Sequence, residues 1–175
     1  MNKDIQVIDD FLPPYEFEEL QNIFMGDTPL PGSEEIIKWQ WCGGIATPED
    51  GNYQFTHFLY VNSVPVSPFF RTLAPIYDHE DIVSTLRIKA NLTPKTEELK
   101  VFTNSFHEDM GDHASKCTTG IYYINTNNGY TLFEECGTQV MSVANRFVKF
   151  PGQLRHTGTT CTDEDRRIVI NFNYI

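Results

Sequence analysis

Hydrophobic positions recur along this chain at helical spacing first and at strand spacing later. Phe17, Leu20, Ile23 and Phe24 repeat at intervals of three and four just after a Pro13-Pro14 turn. They predict an amphipathic helix with proline in its first turn, where the missing N–H breaks no hydrogen bond. Gly26 follows as the expected C-terminal cap. Ahead of this helix, IQVIDD predicts a short strand. A second helix is expected after Ser67-Pro68, a capping residue before proline, with Phe69, Phe70, Leu73 and Ile76 on its apolar face. Between the two helices, residues 39–61 are rich in aromatics without a clean period, and irregular strand and turn is expected there.

From residue 82 the period changes to two. Leu86, Ile88, Ala90 and Leu92 alternate with Arg87, Lys89 and Asn91, the signature of a strand with unlike faces. Whether the polar face looks into a barrel or out to solvent is open at this level. Further strands are expected at 101–109, 118–125, 131–134, 139–143, 147–150 and 167–174, with turn signals at Asn127-Asn128-Gly129 and Pro151-Gly152. Two helices followed by a run of strands predict an α+β chain whose strands form a jelly roll or a comparable double sheet. One domain over 1–175 is expected, with helical support over roughly 1–80 and a barrel over roughly 82–175.

Composition narrows the partners. A net charge of −11, from 13 Lys+Arg against 24 Asp+Glu, argues against nucleic acid, which needs a basic surface to displace phosphate counterions. No apolar run approaches the roughly 20 residues of a membrane span. The opening MNKDIQVIDD lacks the apolar core of a signal peptide, so a cytoplasmic location is the expectation. The cysteines Cys42, Cys117, Cys136 and Cys161 form no C-x-x-C pair and read as buried free thiols.

The candidate chemistry begins at SFHEDMGD. On an extended strand His107 and Asp109 project to one face and Glu108 to the other. An imidazole and a carboxylate projecting together make two thirds of the facial triad that binds iron(II). His156, in LRHTGTT, is the natural third ligand, and three ligands on one octahedral face leave three positions open. A dicarboxylate co-substrate would need an arginine fork, for which Arg166 and Arg167 compete in RRIVINFNY. Counting from Arg167 places Val169, Asn171 and Asn173 on its face, and Ile168, Ile170 and Phe172 on the other. A site lining should be the more polar face, which favours Arg167.

In the order and spacing of these motifs, residues 82–175 resemble the iron(II)/2-oxoglutarate-dependent oxygenase superfamily, in its prolyl-4-hydroxylase-like branch, which includes small members encoded by phages. The H-x-D pair, the distal His and an Arg about ten residues on are matched by His107, Asp109, His156 and Arg167. The tyrosine-bearing strand of the family is similar to TGIYYINTN, which assigns a co-substrate-contacting tyrosine to Tyr123, and the family's Gly-x-Thr-x-Phe strand is matched by Gly129-Tyr130-Thr131-Leu132-Phe133. Two departures stand out: Asn91 replaces a tyrosine often found in the strand before H-x-D, and two arginines adjoin where the family has one cation.

The resemblance implies a double-stranded β-helix (cupin-like) with the two N-terminal helices packed on one sheet. It also implies iron(II), 2-oxoglutarate and O2, with ascorbate as an accessory reductant, and metal ligation by His107, Asp109 and His156. Arg167, Tyr123, Thr131, Asn91 and Asn171 would contact the co-substrate. The implied reaction is hydroxylation of a small molecule or peptide, peptidyl proline being favoured, with release of succinate and CO2. Asp109 argues against a halogenase, because halogenases of the family lack that carboxylate. The alternatives are a non-catalytic cupin-like binding module and a phage structural or host-interaction protein on the same fold. His113 reads as a solvated loop residue, Trp39, Trp41 and Tyr53 as core or lid packing, and His57 and His79 carry no partner pattern. Oligomeric state is open.

Overall fold

Period-two alternation along the last strand sets the architecture, because each of its faces carries a different core. The computed structural model describes residues 3–175; the first two positions of the N-terminal stretch read above lie outside the described residues. The strands in chain order are β1 (Gln6–Ile8), β2 (Gln40–Gly43), β3 (Tyr53–Val61), β4 (Val64–Pro65), β5 (Thr85–Pro94), β6 (Thr118–Tyr123), β7 (Tyr130–Phe133), β8 (Gln139–Met141), β9 (Arg146–Pro151), β10 (His156–Thr157) and β11 (Arg166–Tyr174). A larger antiparallel sheet runs β1-β9-β6-β11-β5-β3-β2, with β4 paired to β3, and a smaller one runs β10-β7-β8. The smaller sheet is extended by isolated bridges joining His107 to His156 and Val101 to Thr159.

On one face of the larger sheet, Ile88 and Ala90 of β5 and Ile168, Ile170 and Phe172 of β11 pack with Leu20, Ile23 and Phe24 of α1 (Pro14–Met25) and Ile76 of α2 (Ala74–His79). Full burial of each large apolar side chain contributes about 1.5–3 kcal/mol, so this helix-facing layer is the main source of stability. On the other face Ile121, Tyr123 and Val169 meet Phe133 and Val140 of the smaller sheet. The two helices therefore lie on one sheet and the two sheets face each other, the jelly-roll arrangement.

Local chemistry explains the helix ends. Gly26 adopts the left-handed conformation (φ 81°), and its N–H and that of Asp27 reach Ile23 and Asn22 carbonyls, the glycine-terminated helix end that lacks a Cβ penalty. Ser67 caps the second helical segment through its side chain, which accepts from the Phe69 N–H. That segment starts as a 3-10 turn over Pro68–Leu73 before becoming α2. Asn145, at φ 62°, ties the start of α1 to the larger sheet: its side chain bonds both the N–H and the carbonyl of Leu12 and accepts from the Tyr122 hydroxyl. Asparagine tolerates this backbone conformation better than most residues.

Three expectations need correction. Residues 39–61 are not irregular throughout, since β3 is nine residues long. A register shift between Phe58 and Tyr60 interrupts its alternation and hid it from a period-two reading. Residues 101–109 are not a continuous strand: a 3-10 turn occupies Thr103–Ser105, and only the two isolated bridges remain of the ladder. Finally, the N-terminal portion is more than helical support. β1, β2 and β3 join the larger sheet, β3 directly against β5. Among the described residues no helix is long and apolar enough to cross a membrane.

Candidate metal centre and co-substrate cleft

Strand alternation alone does not bring His107 and Asp109 together, because their segment is irregular. It is braced from outside. The Asp50 carboxylate accepts from the Ser105 hydroxyl and from the N–H groups of Ile45, Ala46 and Asn52, and Asn52 donates to Ser105 as well. Burial opposes ionisation of Asp50, yet these donors outweigh it and hold the carboxyl well below its ordinary value. After Asp109 the chain turns through two left-handed residues, Met110 (φ 66°) and Gly111 (φ 50°). Glu108 points to solvent while Asp109 is 3% exposed.

One ligating atom from each of His107, Asp109 and His156 lies within 4.8 Å of the other two. Each histidine Nε2 is 3.9 Å from an Asp109 oxygen. The tautomers follow from the other ring nitrogens. His107 Nδ1 is 2.8 Å from the Ser105 carbonyl and His156 Nδ1 is 3.0 Å from the Leu154 carbonyl. A carbonyl can only accept, so Nδ1 carries the proton and Nε2 presents its lone pair, as a metal ligand must. His156 Nε2 is buried and has no hydrogen-bond partner among the described residues, an arrangement that protein interiors rarely leave standing. Burial also pushes the His156 pKa down, more than the neighbouring Asp109 charge raises it, which favours the neutral, ligating form.

Asp109 is held from the opposite side. Arg87 Nη2 donates to Oδ1 at 2.6 Å, Asn173 Nδ2 donates to Oδ2 at 3.1 Å, and Thr119 Oγ1 donates to Oδ2 at 3.4 Å. Arg87 is itself fixed by a 3.0 Å bond from its Nε to Asn173 Oδ1. Burial would raise the Asp109 pKa, but His156 and His107, whenever protonated, and at all times the Arg87 charge and the Asn173 bond, hold it far below the usual carboxylate range. The group is therefore an anion at neutral pH.

A cleft of about 520 Å³, open mouth included, runs from His107 and His156 to Arg167 and is lined in between by Lys89, Asn91, Thr93, Thr131 and Asn171. Arg167 is buried at the far end. Its Nε donates to Ser142 Oγ at 2.7 Å and its Nη2 to Thr131 Oγ1 at 3.2 Å, while Thr131 also accepts from the Tyr123 hydroxyl at 2.8 Å. The guanidinium carbon lies 5.7 Å from the Tyr123 ring centroid. Gly129 makes room for this side chain, since a Cβ there would stand 2.8 Å from Arg167 Cδ and 2.6 Å from the Thr160 carbonyl oxygen.

The structure thus brings together His107, Asp109, His156, Arg167, Thr131, Asn91 and Asn171, with Tyr123 just behind Thr131. Tyr122 lies on the opposite face, in the helix-side core. Arg166 is half-buried outside the cleft lining. His113 is exposed, His57 bonds Lys38 and Ser67, and Trp41 and Tyr53 lie exposed away from the cleft lining. Arg87 and Lys89, whose facing was open from sequence, look inward. Ser142 and Thr119 had no motif to announce them; only their pairing to Arg167 and Asp109 does.

Two facing sheets with these side chains between them define a double-stranded β-helix of the kind found in 2-oxoglutarate/iron(II) oxygenases. Solved structures show the same fold. A viral collagen prolyl hydroxylase from Paramecium Bursaria Chlorella virus-1, solved as its 2-oxoglutarate complex, is similar with a TM-score of 0.56 at 13% identity over 99% of this chain and 98% of that one. A 2-oxoglutarate/iron(II) oxygenase family oxidoreductase from Burkholderia pseudomallei gives 0.64 at 13% identity, covering 99% of this chain and 86% of its own. HygX from Streptomyces hygroscopicus, with nickel and 2-oxoglutarate bound, gives 0.54 at 13% identity over 98% and 82%. No family model matches the sequence, and no curated protein matches it.

Proposed function

We propose that this chain is an iron(II)- and 2-oxoglutarate-dependent dioxygenase that hydroxylates its substrate with release of succinate and CO2. The observation that carries the reading is the buried, partnerless Nε2 of His156, facing the Asp109 carboxylate and His107 at one end of a cleft that ends on Arg167. Two neutral imidazoles and one carboxylate on a common face suit iron(II) and leave coordination positions for other ligands. When bound, iron(II) and 2-oxoglutarate supply the oxidising power through oxidative decarboxylation of the keto acid.

Everything else falls to the chain. His107, Asp109 and His156 hold the metal, while Arg87 and Asn173 fix the carboxylate that does so. Arg167 binds the distal carboxylate of 2-oxoglutarate with Thr131 and Tyr123 orienting its guanidinium, and Asn91 and Asn171 offer polar contacts along the cleft. Desolvation of this site strengthens a charge-assisted bond there relative to water. The whole of 1–175 acts as one catalytic domain in this reading. The likeness to prolyl hydroxylases favours a prolyl group as the acceptor of oxygen, and a small-molecule or peptide substrate, with no nucleic acid or membrane partner, agrees with the acidic composition.

Succinate formation from 2-oxoglutarate by the purified protein, with and without added iron(II), tests the reading. Iron-dependent succinate is expected from the wild type and none from Asp109→Ala. Wild-type protein that neither binds iron(II) nor forms succinate would reduce the fold to a binding module.

A further inference from the structure

The cleft holds one cation that the proposed reaction does not use. Lys89 projects from β5 onto the same face as Arg87 and Asn91 and lines the cleft. Among the described residues no hydrogen bond or ion pair reaches its amine; Asp109 acts on it only from a distance, and Arg87 opposes it. Burial, and after it the Arg87 charge, push its pKa below the ordinary 10.5. Lys89 is half-buried and its amine keeps some water, but no anion of the described residues pairs with it, so a ligand's anion gains a charge-assisted bond there.

The anion is not 2-oxoglutarate in the geometry proposed above. Across the β5–β11 ladder Arg167 stands opposite Thr93 and Lys89 opposite Asn171, so the two backbones are four residues apart, about 13 Å along the strands. Arg167 would serve the carboxylate at the far end of the cleft and the iron(II) held by His107, Asp109 and His156 the other one, which accounts for both charges of the co-substrate. Lys89 sits at the metal end, next to the Arg87 that grips Asp109. Directly beside it in the β3–β5 register is Phe58, 43% exposed, an apolar surface adjoining a cation.

Resting on the dioxygenase reading, we infer that Lys89 binds a carboxylate of the prime substrate, so that the molecule hydroxylated is a small free acid of amino-acid size. Within proline chemistry this means proline bearing its own carboxylate, not proline inside a polypeptide. The free space between the side chains that line the cleft is narrow and has to admit 2-oxoglutarate as well, which favours a small acid.

The test is calorimetric and needs no turnover. The protein is loaded with Zn(II) in place of iron(II), then with 2-oxoglutarate, and titrated with each of the twenty amino acids as free acid and as primary amide, starting with L-proline and L-prolinamide. At least one free acid is expected to bind at least about tenfold more tightly than its amide, the scale of a single charge-assisted contact. Lys89→Met should erase that difference and Lys89→Arg should retain it. The inference is overturned if no free acid binds, if acid and amide bind alike, or if the preference survives in Lys89→Met. It is overturned too if Lys89→Met weakens 2-oxoglutarate itself as Arg167→Ala does. Failure of Zn(II) and 2-oxoglutarate to bind the wild type, seen before any amino acid is added, would instead remove the dioxygenase reading and this inference with it.

Discussion

The two faces of β5 and β11, ten and nine residues long, are built by opposite rules from the same stretches of chain. Toward the helices, Ile88, Ala90, Ile168, Ile170 and Phe172 are buried among apolar neighbours. Toward the smaller sheet, Arg87, Lys89, Asn91, Arg167, Asn171 and Asn173 stand in a layer that also contains only one large apolar side chain from these strands, Val169. Asn91 Oδ1 and Asn171 Oδ1 are buried there without a hydrogen-bond partner among the described residues. Buried polar atoms without partners destabilise a fold. The comparison teaches that apolar burial is concentrated on the helix side, while the inner side keeps a polar layer held partly by its own hydrogen bonds.

Substitutions should separate the two faces. Arg167→Ala is expected to weaken 2-oxoglutarate binding by about 2–5 kcal/mol, the scale for breaking a buried hydrogen-bonded charge pair, in a calorimetric titration of metal-loaded protein. Loss of the fold without loss of affinity at permissive temperature would break the comparison. Ile170→Ala, on the helix side, should lower unfolding free energy by about 2–5 kcal/mol through lost burial and a residual cavity, read by urea denaturation, and should leave 2-oxoglutarate affinity in the surviving folded protein largely intact.

Asn171→Leu makes the opposite claim. It removes an unpartnered polar atom of similar size, so ligand-free protein should gain about 1–3 kcal/mol of stability while losing activity, a trade expected where a site is kept polar for function. A lowered melting temperature would mean that Asn171 is already satisfied in the free protein.

Acid titration sharpens the comparison at the brace beside the metal centre. The folded Asp50 pKa is depressed below its ordinary 3.8 by hydrogen bonds. Its contribution to stability is therefore fully present above that ordinary value and fades as pH falls through the folded one. Denaturation followed downward from pH 6 should show an acid limb that is shallower in Asp50→Asn, whose amide cannot titrate. Identical limbs would mean that the Asp50 bonds do not hold in solution. The smallest effect on 2-oxoglutarate affinity is expected from Arg166→Ala, within about 0.5 kcal/mol, because its side chain lies outside the cleft lining.

Much of this arrangement was legible along the chain. Strict alternation in RRIVINFNY sorts Ile168, Ile170 and Phe172 from Arg167, Asn171 and Asn173, and the structure puts these two sets on opposite faces. The same rule separates Tyr122 from Tyr123. Alternation failed where the backbone departs from a regular ladder. The shift between Phe58 and Tyr60 concealed β3, and the 3-10 turn at Thr103–Ser105 means that the side-chain directions of His107 and Asp109 come from the Asp50–Ser105 brace and the turn at Met110-Gly111. Nor could periodicity choose whether Arg87 and Lys89 face inward, because a polar strand face suits solvent and a binding cleft equally well.

Sequence by itself determined the local terms: which residues share a strand face, where α1 ends at Gly26, and which imidazole and carboxylate groups are available in the order His107, Asp109, His156. Those follow from backbone periodicity and side-chain chemistry, which act over a few residues. Tertiary structure alone decided that, among the described residues, His156 Nε2 has no hydrogen-bond partner and Lys89 no ion pair, and that Asp109 is clamped by Arg87 and Asn173. Such facts depend on what a second sheet and distant loops place against a given atom, and burial, partner geometry and local electrostatics come into being only when those elements pack together.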